Sequence, residues 1–240
     1  MIDNLSYEKK YEIVEHKTFC ESIINKEILR NYSILLLGIF IMSFGIALSV
    51  VSDLGTTPIS SIPNVTKYAI TLSLGMITII FNALLVLIQI FILKSDFEKK
   101  NWLQVLVAVI FGYFIDLCLY ILSDLKPKNY FQKWLICIIS CFIMALGVYF
   151  EVLSKALVLP GEGVSLAINK VTNIEFGKIK TGFDTSNVVI AGALSLILYG
   201  EFKGIGLGTI FSGIVVGYII ILYKQCFSKL LNTLFFTLWH

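Results

Sequence analysis

Long apolar runs, separated by short polar stretches, make up most of this chain. Each of six runs holds about twenty residues, the length that an α-helix needs to cross the hydrocarbon core of a bilayer. Tryptophan and tyrosine residues stand at several ends of these runs, where amphipathic rings favour the headgroup level. The pattern therefore predicts six membrane-spanning helices. The predicted spans are residues 31–52, 73–93, 102–122, 134–154, 182–199 and 204–223.

The composition strengthens the case for a bilayer environment. Hydrophobic residues make up 57% of the 240 residues and the mean hydropathy is +0.86, whereas soluble domains hold nearer ~45–50% apolar residues. The net charge of +3 is too small and too dispersed to indicate nucleic acid as a partner. Five cysteines without C-x-x-C spacing give no sign of a metal site. We expect an all-α polytopic membrane protein whose partner is the lipid bilayer, without a metal or cofactor.

The lysines and arginines are divided unequally between the two sides of the predicted topology. With the N-terminus in the cytoplasm, the inner segments hold 14 of them and the outer segments hold 5. Basic residues favour the cytoplasmic side of short loops, so both termini are expected inside. Residues 1–30, which are mixed in charge, are predicted to form a cytoplasmic or interfacial amphipathic tail. Residues 224–240 are predicted to form a second interfacial tail.

The chain resembles itself when it is shifted by 102 residues. Twelve identities fall among the 49 ungapped positions from 40 to 88, and a further three-residue offset brings Gly112 onto Gly217. Chance matches between aliphatic residues do not readily supply prolines and glycines at one offset. The sequence therefore predicts a duplication, with three-span repeats over residues 31–122 and 134–223. The proline and glycine matches are Pro58 with Pro160, Gly45 with Gly147, and Gly75 with Gly177.

Three spans in each repeat is an odd number. The second repeat must therefore enter the membrane from the opposite side, which gives an inverted 3+3 repeat. Inverted repeats are common in secondary transporters, because two antiparallel copies of one fold supply two interchangeable openings. The step from this symmetry to transport is an analogy with other folds.

A polar linker joins the first and second spans of each repeat. Each linker contains a proline suited to the first turn of a helix, followed by apolar residues at helical spacing. The linkers are therefore predicted to form short amphipathic helices. Such a helix either lies on the membrane surface or is re-entrant, with its freed amides facing a water-lined cavity. The gating candidates are Asp53, Gly55, Pro58, Pro160, Gly161 and Gly163, and Glu162, between two glycines, is a candidate binding residue.

Polar side chains at the start of the fifth span are the strongest candidates for a binding site. Lys180, Asp184 and Asn187 share one helix face, and Lys178 lies on the neighbouring face. An ionisable residue inside a bilayer costs at least ~2.5–3.5 kcal/mol on insertion scales, so it indicates function. In the structural alternative, Lys180 pairs with Asp184 near the inner interface and Lys178 extends to the headgroups.

Two polar residues of the first repeat are candidates for the same site. Asn82 in the second span matches Asp184 under the repeat shift. Asp116 lies deep in the third span, and its counterpart in the second repeat is the apolar Ile221. Asp116 either joins a polar network with neighbouring amides or lines a solute pathway.

Features of the fourth and sixth spans are interpreted as structural. Glu151 precedes Lys155 by four residues, which predicts an interfacial salt bridge. Small-xxx-small spacing in the sixth span predicts close helix packing, inside the protomer or between protomers of a homo-oligomer. The packing glycines are Gly204, Gly208, Gly213 and Gly217.

Three stretches of the chain carry a further pattern: LGTTPISSIPNVTKYAITLSLGMITIIFNALLVL, LPGEGVSLAINKVTNIEFGKIKTGFDTSNVVIAGALSLILYG and GIGLGTIFSG. A Pro-led segment containing glycine, a small-Gly dipeptide opening the next span and a G-x-G-T run opening the last span occur in order. In these residues the chain resembles YczE/YitT-type bacterial integral membrane proteins. The resemblance implies a multi-pass plasma-membrane protein of permease-like character, with no established substrate. It also implies that Glu162, Lys178, Lys180 and Asp184 occupy acidic and basic positions of the family.

Two functions from different classes fit these features. The first is a secondary transporter or exporter of a small polar or ionic solute. In it, Glu162 and Asp184 would bind a cation or proton, Lys178 or Lys180 would bind an anionic group, and the Pro-led segments would be gates. The second is a non-transporting membrane module that binds lipid or a partner membrane protein. An enzyme is not expected, because the sequence has no P-loop, H-E-x-x-H or G-x-S-x-G motif.

Overall fold

The fold is all-helical over the residues described by the structure, a computed structural model. It describes the backbone of residues 2–237 and the side chains of residues 26–226, and this part contains no strand. Two short 3-10 turns, Lys94–Asp96 and Lys99–Trp102, precede the fourth helix. The helices are α1 (Ile2–Val51), α2 (Pro58–Thr66), α3 (Leu74–Leu93), α4 (Leu103–Ile121), α5 (Tyr130–Ser154), α6 (Pro160–Thr172), α7 (Phe176–Tyr199) and α8 (Leu207–Thr237).

Six of these helices are long and apolar enough to cross a membrane, which confirms the predicted all-α polytopic fold. Large apolar side chains such as Phe91 and Ile197 are about four-fifths exposed on the outside of the bundle, as lipid-facing residues are. Leu35, Ile39 and Ile115 are buried in its interior. The membrane-crossing segments are Lys26–Val51, Leu74–Asp96, Lys99–Ile121, Tyr130–Ser154, Phe176–Tyr199 and Leu207–Cys226.

The helix boundaries differ from the predicted spans where polar residues or glycines intervene. α7 begins at Phe176, before the predicted start at residue 182, because the polar stretch 177–181 is helical. α8 begins at Leu207, after the predicted start, because Gly204 adopts a φ of 80° and belongs to the preceding loop. α1 is continuous from Ile2. The predicted interfacial behaviour of residues 1–30 and 224–240 depends on side chains that lie mostly outside the described residues.

The two halves of the chain meet where α1 crosses α5 in the antiparallel sense. A Cβ added to Gly45 would lie 2.8 Å from Met144 N, and a Cβ added to Gly147 would lie 2.5 Å from Met42 N. The repeat shift exchanges these two contacts. The glycines therefore allow the close backbone approach at which the two halves are related by an approximate two-fold axis.

The ends of α1 and α5 repeat each other in detail. Ser52 Oγ donates to Ser49 O at 2.6 Å, and Ser154 Oγ donates to Glu151 O at 2.6 Å. The following residues, Asp53 and Lys155, both adopt left-handed conformations, with φ of 56° and 51°. Matched helix ends at one offset support the duplication predicted from the sequence.

The short helices α2 and α6 are packed among the spans of the opposite half. α2 contacts α7 and α8, whereas α6 contacts α3 and α4, and both helices bury polar as well as apolar residues. Ser61 and Ser165, for example, are fully buried. Burial on more than one side favours the re-entrant placement over a helix lying on the membrane surface.

Candidate functional site

Charged residues of α6 and α7 meet at one point in the second half. Lys180 Nζ lies 3.0 Å from Asp184 Oδ1 and 3.2 Å from Glu162 Oε1. The three side chains remain 24–26% exposed, so the ion pairs are largely removed from solvent. One ammonium group thereby joins two carboxylates from different helices through charge-assisted contacts.

Glu151 is a third carboxylate beside this group. It lies in the last turn of α5 and is 1% exposed, and its charged neighbours are Glu162 and Lys180. The backbone N–H of Leu159, just before α6, donates to its Oε1 at 2.6 Å. Its Oε2 has no hydrogen-bond partner among the described residues. We refer to Glu151, Glu162, Lys180 and Asp184 as the charged quartet.

The predicted salt bridge between Glu151 and Lys155 is wrong. α5 ends at Ser154, and the left-handed conformation of Lys155 turns its exposed side chain away from the helix face that carries Glu151. The i, i+4 rule requires both residues to be helical. The repeat offered a signal for this burial, because the counterpart of Glu151 is Ser49, inside the first span.

A second set of polar residues lies at the equivalent positions of the first half. All four are buried and uncharged, and we call them the neutral quartet. Thr78 Oγ1 donates to Leu74 O, and Asn82 Nδ2 donates to Thr78 O, so these side chains are satisfied by their own helix. The two halves thus share polar positions but differ in charge. The neutral quartet is Ser49, Ser60, Thr78 and Asn82.

Two further candidates on α7 lie apart from the charged quartet. Lys178 is exposed and pairs with Glu175 at 3.5 Å. Asn187 Nδ2 donates to Phe183 O, while the Asn187 carbonyl accepts a 3.3 Å hydrogen bond from Ser61 of α2. Lys178 therefore extends from the start of α7, and Asn187 holds α7 against α2.

Asp116 closes the crossing of α3 and α4. Its Oδ2 accepts a hydrogen bond from Ser73 Oγ at 2.5 Å, and its Oδ1 accepts one from Gly75 N–H at 2.7 Å. A carboxylate at the N-terminus of α3 is favoured by the unpaired N–H groups and the dipole there. Asp116 thus belongs to a contact between helices at a distance from the charged quartet.

The equivalent helix crossings of the two halves differ. α3 and α4 are in contact in the first half, whereas α7 and α8 are separated in the second. A Cβ at Gly112 of α4 would lie 2.6 Å from Gly75 O of α3, so these backbones are in contact. Their counterparts are Gly177 on α7 and Gly217 on α8, and a Cβ added to either would lie more than 4 Å from every other group that the structure describes. α7 and α8 barely touch.

The linker before α2 is sealed by the start of α8. Gly208 N–H donates to Leu54 O at 2.8 Å, and Thr209 Oγ1 accepts a hydrogen bond from Thr56 N–H at 3.2 Å. Gly55, with a φ of 105°, packs directly against Thr209. Asp53 pairs with Lys133 of α5 at 2.6 Å. We call the side of the molecule where this linker meets the start of α8 the α2 side.

The equivalent linker, before α6, borders a cavity of about 140 Å³ instead. Gln89 and Gln104 hydrogen-bond each other at 2.9 Å in its wall, and Glu98 and Lys170 stand nearby. We call this the α6 side. The α2 side is closed by direct backbone contacts, whereas the α6 side has this cavity and the separation between α7 and α8.

The glycines of the α6 start give room for neighbouring side chains. A Cβ at Gly161 would lie 2.9 Å from Ile59 Cδ1 of α2, and a Cβ at Gly163 would lie 2.7 Å from Gln89 Nε2 of α3. Pro160 begins the helix, as Pro58 begins α2. These glycines therefore allow α6 to pack between two helices.

The glycines of the last span have different surroundings. Gly208 packs on the Leu54 carbonyl and Gly213 on Pro58, both within one protomer. Gly204 is a loop residue beside Asn64, whose Nδ2 donates to its carbonyl at 2.5 Å. Gly217 makes no such contact with the residues that the structure describes. Over residues 26–226, no group of three His, Cys, Asp or Glu side chains is arranged to hold a metal ion.

Comparisons with known proteins give a family but no activity. Residues 29–225 match a family of unknown function, DUF6198. The chain is 28% identical over 176 residues to the uncharacterized protein YyaS of Bacillus subtilis (strain 168). The aligned region covers 72% of this chain and 82% of YyaS. No solved structure matches the chain. These matches do not confirm the YczE/YitT-type resemblance.

Proposed function

The chain belongs to the DUF6198 family of unknown function, and we propose that it is a secondary carrier of a small polar or ionic solute. The observation that supports this most is the difference between two equivalent helix crossings. Gly75 and Gly112 are in backbone contact, whereas Gly177 and Gly217 are apart. In carriers with inverted repeats, one half takes the conformation of the other as access alternates between the two sides.

The proposed conformation is open at the α6 side and closed at the α2 side. Closure at the α2 side uses Asp116 with Gly75, and Gly208 with the Leu54 carbonyl. In the alternate state, α7 would approach α8 through Gly177 and Gly217, and the α3–α4 crossing would separate. Ile221 replaces Asp116 in the second half, so the two closed states are held by different contacts.

Glu162, Lys180 and Asp184 of the charged quartet form the proposed binding site. Asp184 lies seven residues after Gly177, so both are on the helix face that would meet α8. Lys180 offers an ammonium group to an anionic part of the solute. Glu162 and Asp184 offer carboxylates to a cation or proton. We propose no enzymatic role.

We propose a plasma-membrane location with both termini in the cytoplasm, on the basis of the Lys and Arg distribution. Lys67, after α2, gives a pH-dependent test of this orientation. Burial lowers the pKa of Lys67 to about 8, although neighbouring Asp53 opposes the shift. Its neutral, reactive form therefore accumulates up to about pH 9, whereas an ordinary lysine, with a pKa near ~10.4, continues to gain reactivity above that pH.

Labelling of sealed cells with a membrane-impermeant amine reagent measures this. We expect Lys67 and the exposed Lys128 to be labelled, with the Lys67 rate levelling off near pH 9. Lys178, which is exposed at the start of α7, is expected to react only after the membrane is opened. Labelling of Lys178 but not Lys128 in sealed cells would reverse the orientation.

Flux measurements on the reconstituted protein test the carrier function. Proteoliposomes are given a proton or sodium gradient and a panel of radiolabelled organic anions, organic cations and zwitterions. We expect uptake of one class, and at least a tenfold loss of it in Glu162→Gln and in Asp184→Asn. Lys178→Gln, which changes an exposed ion pair on the same helix, is the matched control and is expected to retain flux.

Each result has a separate consequence. Unchanged flux in both carboxylate variants would show that the solute binds elsewhere. Failure of the folded wild type to move any solute class under either gradient would favour the non-transporting membrane module.

A further inference from the structure

Glu151 has an unusual position for a carboxylate. It is 1% exposed in the interior of a membrane-spanning bundle. Oε1 accepts the Leu159 N–H, but Oε2 has no partner among the described side chains and backbone groups. α1 passes it with Gly38, whose added Cβ would lie 2.9 Å from Glu151 N, so that helix supplies no charge there.

Among the residues whose side chains the structure describes, no cation pairs directly with Glu151. Lys180 is the basic residue of the charged quartet. Its Nζ lies 3.2 Å from Glu162 Oε1 and 3.0 Å from Asp184 Oδ1. From α6 the other charged neighbour is Glu162, which is repulsive. From α8, Tyr223 packs on Tyr149, two residues away. An ionised carboxylate without a cation is strongly disfavoured in a desolvated site, and the usual outcome is a neutral group.

The equivalent position of the first half holds a neutral group, which supports a neutral Glu151. Its counterpart, Ser49, is a buried hydroxyl that shares a 2.9 Å hydrogen bond with Thr56 Oγ1. Thr56 is replaced by Val158 in the second half, so Glu151 Oε2 has no equivalent hydroxyl to contact. The fold thus keeps a polar, uncharged group at both positions if Glu151 carries a proton.

We propose that Glu151 is a proton-binding site and that the proton is the coupling ion of the carrier. This inference rests on the proposed function for its role in coupling. On release, the Oε2–H bond of Glu151 breaks and an O–H bond forms on a carboxylate oxygen of Glu162. The quartet keeps its total charge during this transfer. Lys180 then loses Glu162 as an anionic partner, and its freed ammonium group is the cation available to the ionised Glu151 and to an anionic group of the solute.

Infrared spectroscopy of the full chain in lipid tests the proposal with the proton itself as the probe. A protonated carboxyl group has a C=O absorption that a carboxylate lacks. We expect such a band in the wild type, its loss in Glu151→Gln, and its displacement in Glu151→Asp, which keeps the acid on a shorter side chain. Glu162→Gln is the matched control and is expected to keep the band in the resting state.

An unfolded variant could also lose the band, so two measurements check that each variant is folded. Size-exclusion profiles and thermal midpoints establish that each variant is folded, and Glu151→Asp replaces Glu151→Gln in the comparison if the latter fails. An absent band, or one unchanged in both Glu151 variants, would overturn the proposal.

The flux assay separates this inference from the carrier function. We expect Glu151→Gln to lose accumulation driven by a proton gradient while it retains exchange of the same solute between equal concentrations. Solute flux that stays proton-driven in Glu151→Gln would overturn the inference and leave the carrier function intact. Absence of flux in the wild type would instead contradict the carrier function, whatever the infrared result.

Discussion

Gly112→Ala is expected to destabilise the protein by roughly 1–3 kcal/mol, because an added methyl group overpacks the closed crossing of α3 and α4. The new Cβ would lie 2.6 Å from Gly75 O, a backbone atom that cannot move without displacing α3. The thermal midpoint of the purified protein in detergent measures the effect. We expect a clear decrease relative to the wild type.

Gly217→Ala is the matched control for this substitution. Gly217 is the repeat counterpart of Gly112, and its added Cβ would have no neighbour within 4 Å in the described part of the chain. Alanine favours a helix over glycine by up to ~1 kcal/mol, so stability should stay equal or rise slightly. Equal destabilisation by the two changes would contradict the difference between the two crossings.

Lys180→Met is expected to destabilise the protein by about 3 kcal/mol. The substitution keeps the length of the side chain but removes the only ammonium group of the charged quartet. Glu162 and Asp184 would then face each other without a counterion, and breaking one member of a buried ion pair costs about 3–5 kcal/mol. The residual exposure of 24–26% places the expected effect at the lower end. Chemical or thermal unfolding in detergent measures it.

Lys178→Met on the same helix is the control, because its ion pair with Glu175 is about three-quarters exposed and contributes little. Replacing the anionic partners as well, in Lys180→Met with Glu162→Gln and Asp184→Asn, should recover much of the lost stability. A triple variant no more stable than Lys180→Met would mean that Lys180 acts through packing and not through charge.

Much of the fold could be predicted from the sequence, because prolines and glycines recur at the repeat offset. Pro58 and Pro160 begin α2 and α6, and Gly45 and Gly147 lie in the contact between the two halves. Each of these residues has a backbone role that few others fill, so the repeat remains visible in the sequence. Hydropathy predicts a start at residue 182 instead of Phe176 because Lys178, Lys180 and Thr181 are polar, although hydrogen bonding along a helix does not depend on hydropathy.

The site was predicted in part. Helical spacing placed Lys180 and Asp184 on one face, and the Gly-Glu-Gly segment drew attention to Glu162. The sequence does not predict Glu151 as part of this site, because its i, i+4 spacing with Lys155 indicates a salt bridge only if the helix continues to Lys155, and α5 ends at Ser154. The left-handed turn after Ser154 depends on tertiary contacts that no local pattern contains.

The separation of α7 from α8 could not be predicted from the glycines of the sequence. Gly112 and Gly217 are glycines at matching positions of the two sequence repeats. Gly112 is in contact with the backbone of a neighbouring helix, whereas Gly217 is not. The difference depends on how whole helices are arranged. Asp116, with Ile221 as its counterpart, was a visible signal, but the sequence left open whether it joined a network or a pathway.

The unequal charge of the two quartets has an electrical consequence for such a carrier. When the α6 side is open, water reaches toward the charged quartet from that side and the membrane potential falls mainly across the closed α2 side. Reversing the access moves this voltage drop to the other side of the quartet. Each elementary charge that crosses the full field changes the free energy by about 2.3 kcal/mol per 100 mV. Because the neutral quartet cannot cancel this effect, the membrane voltage itself would bias which face of the protein is open.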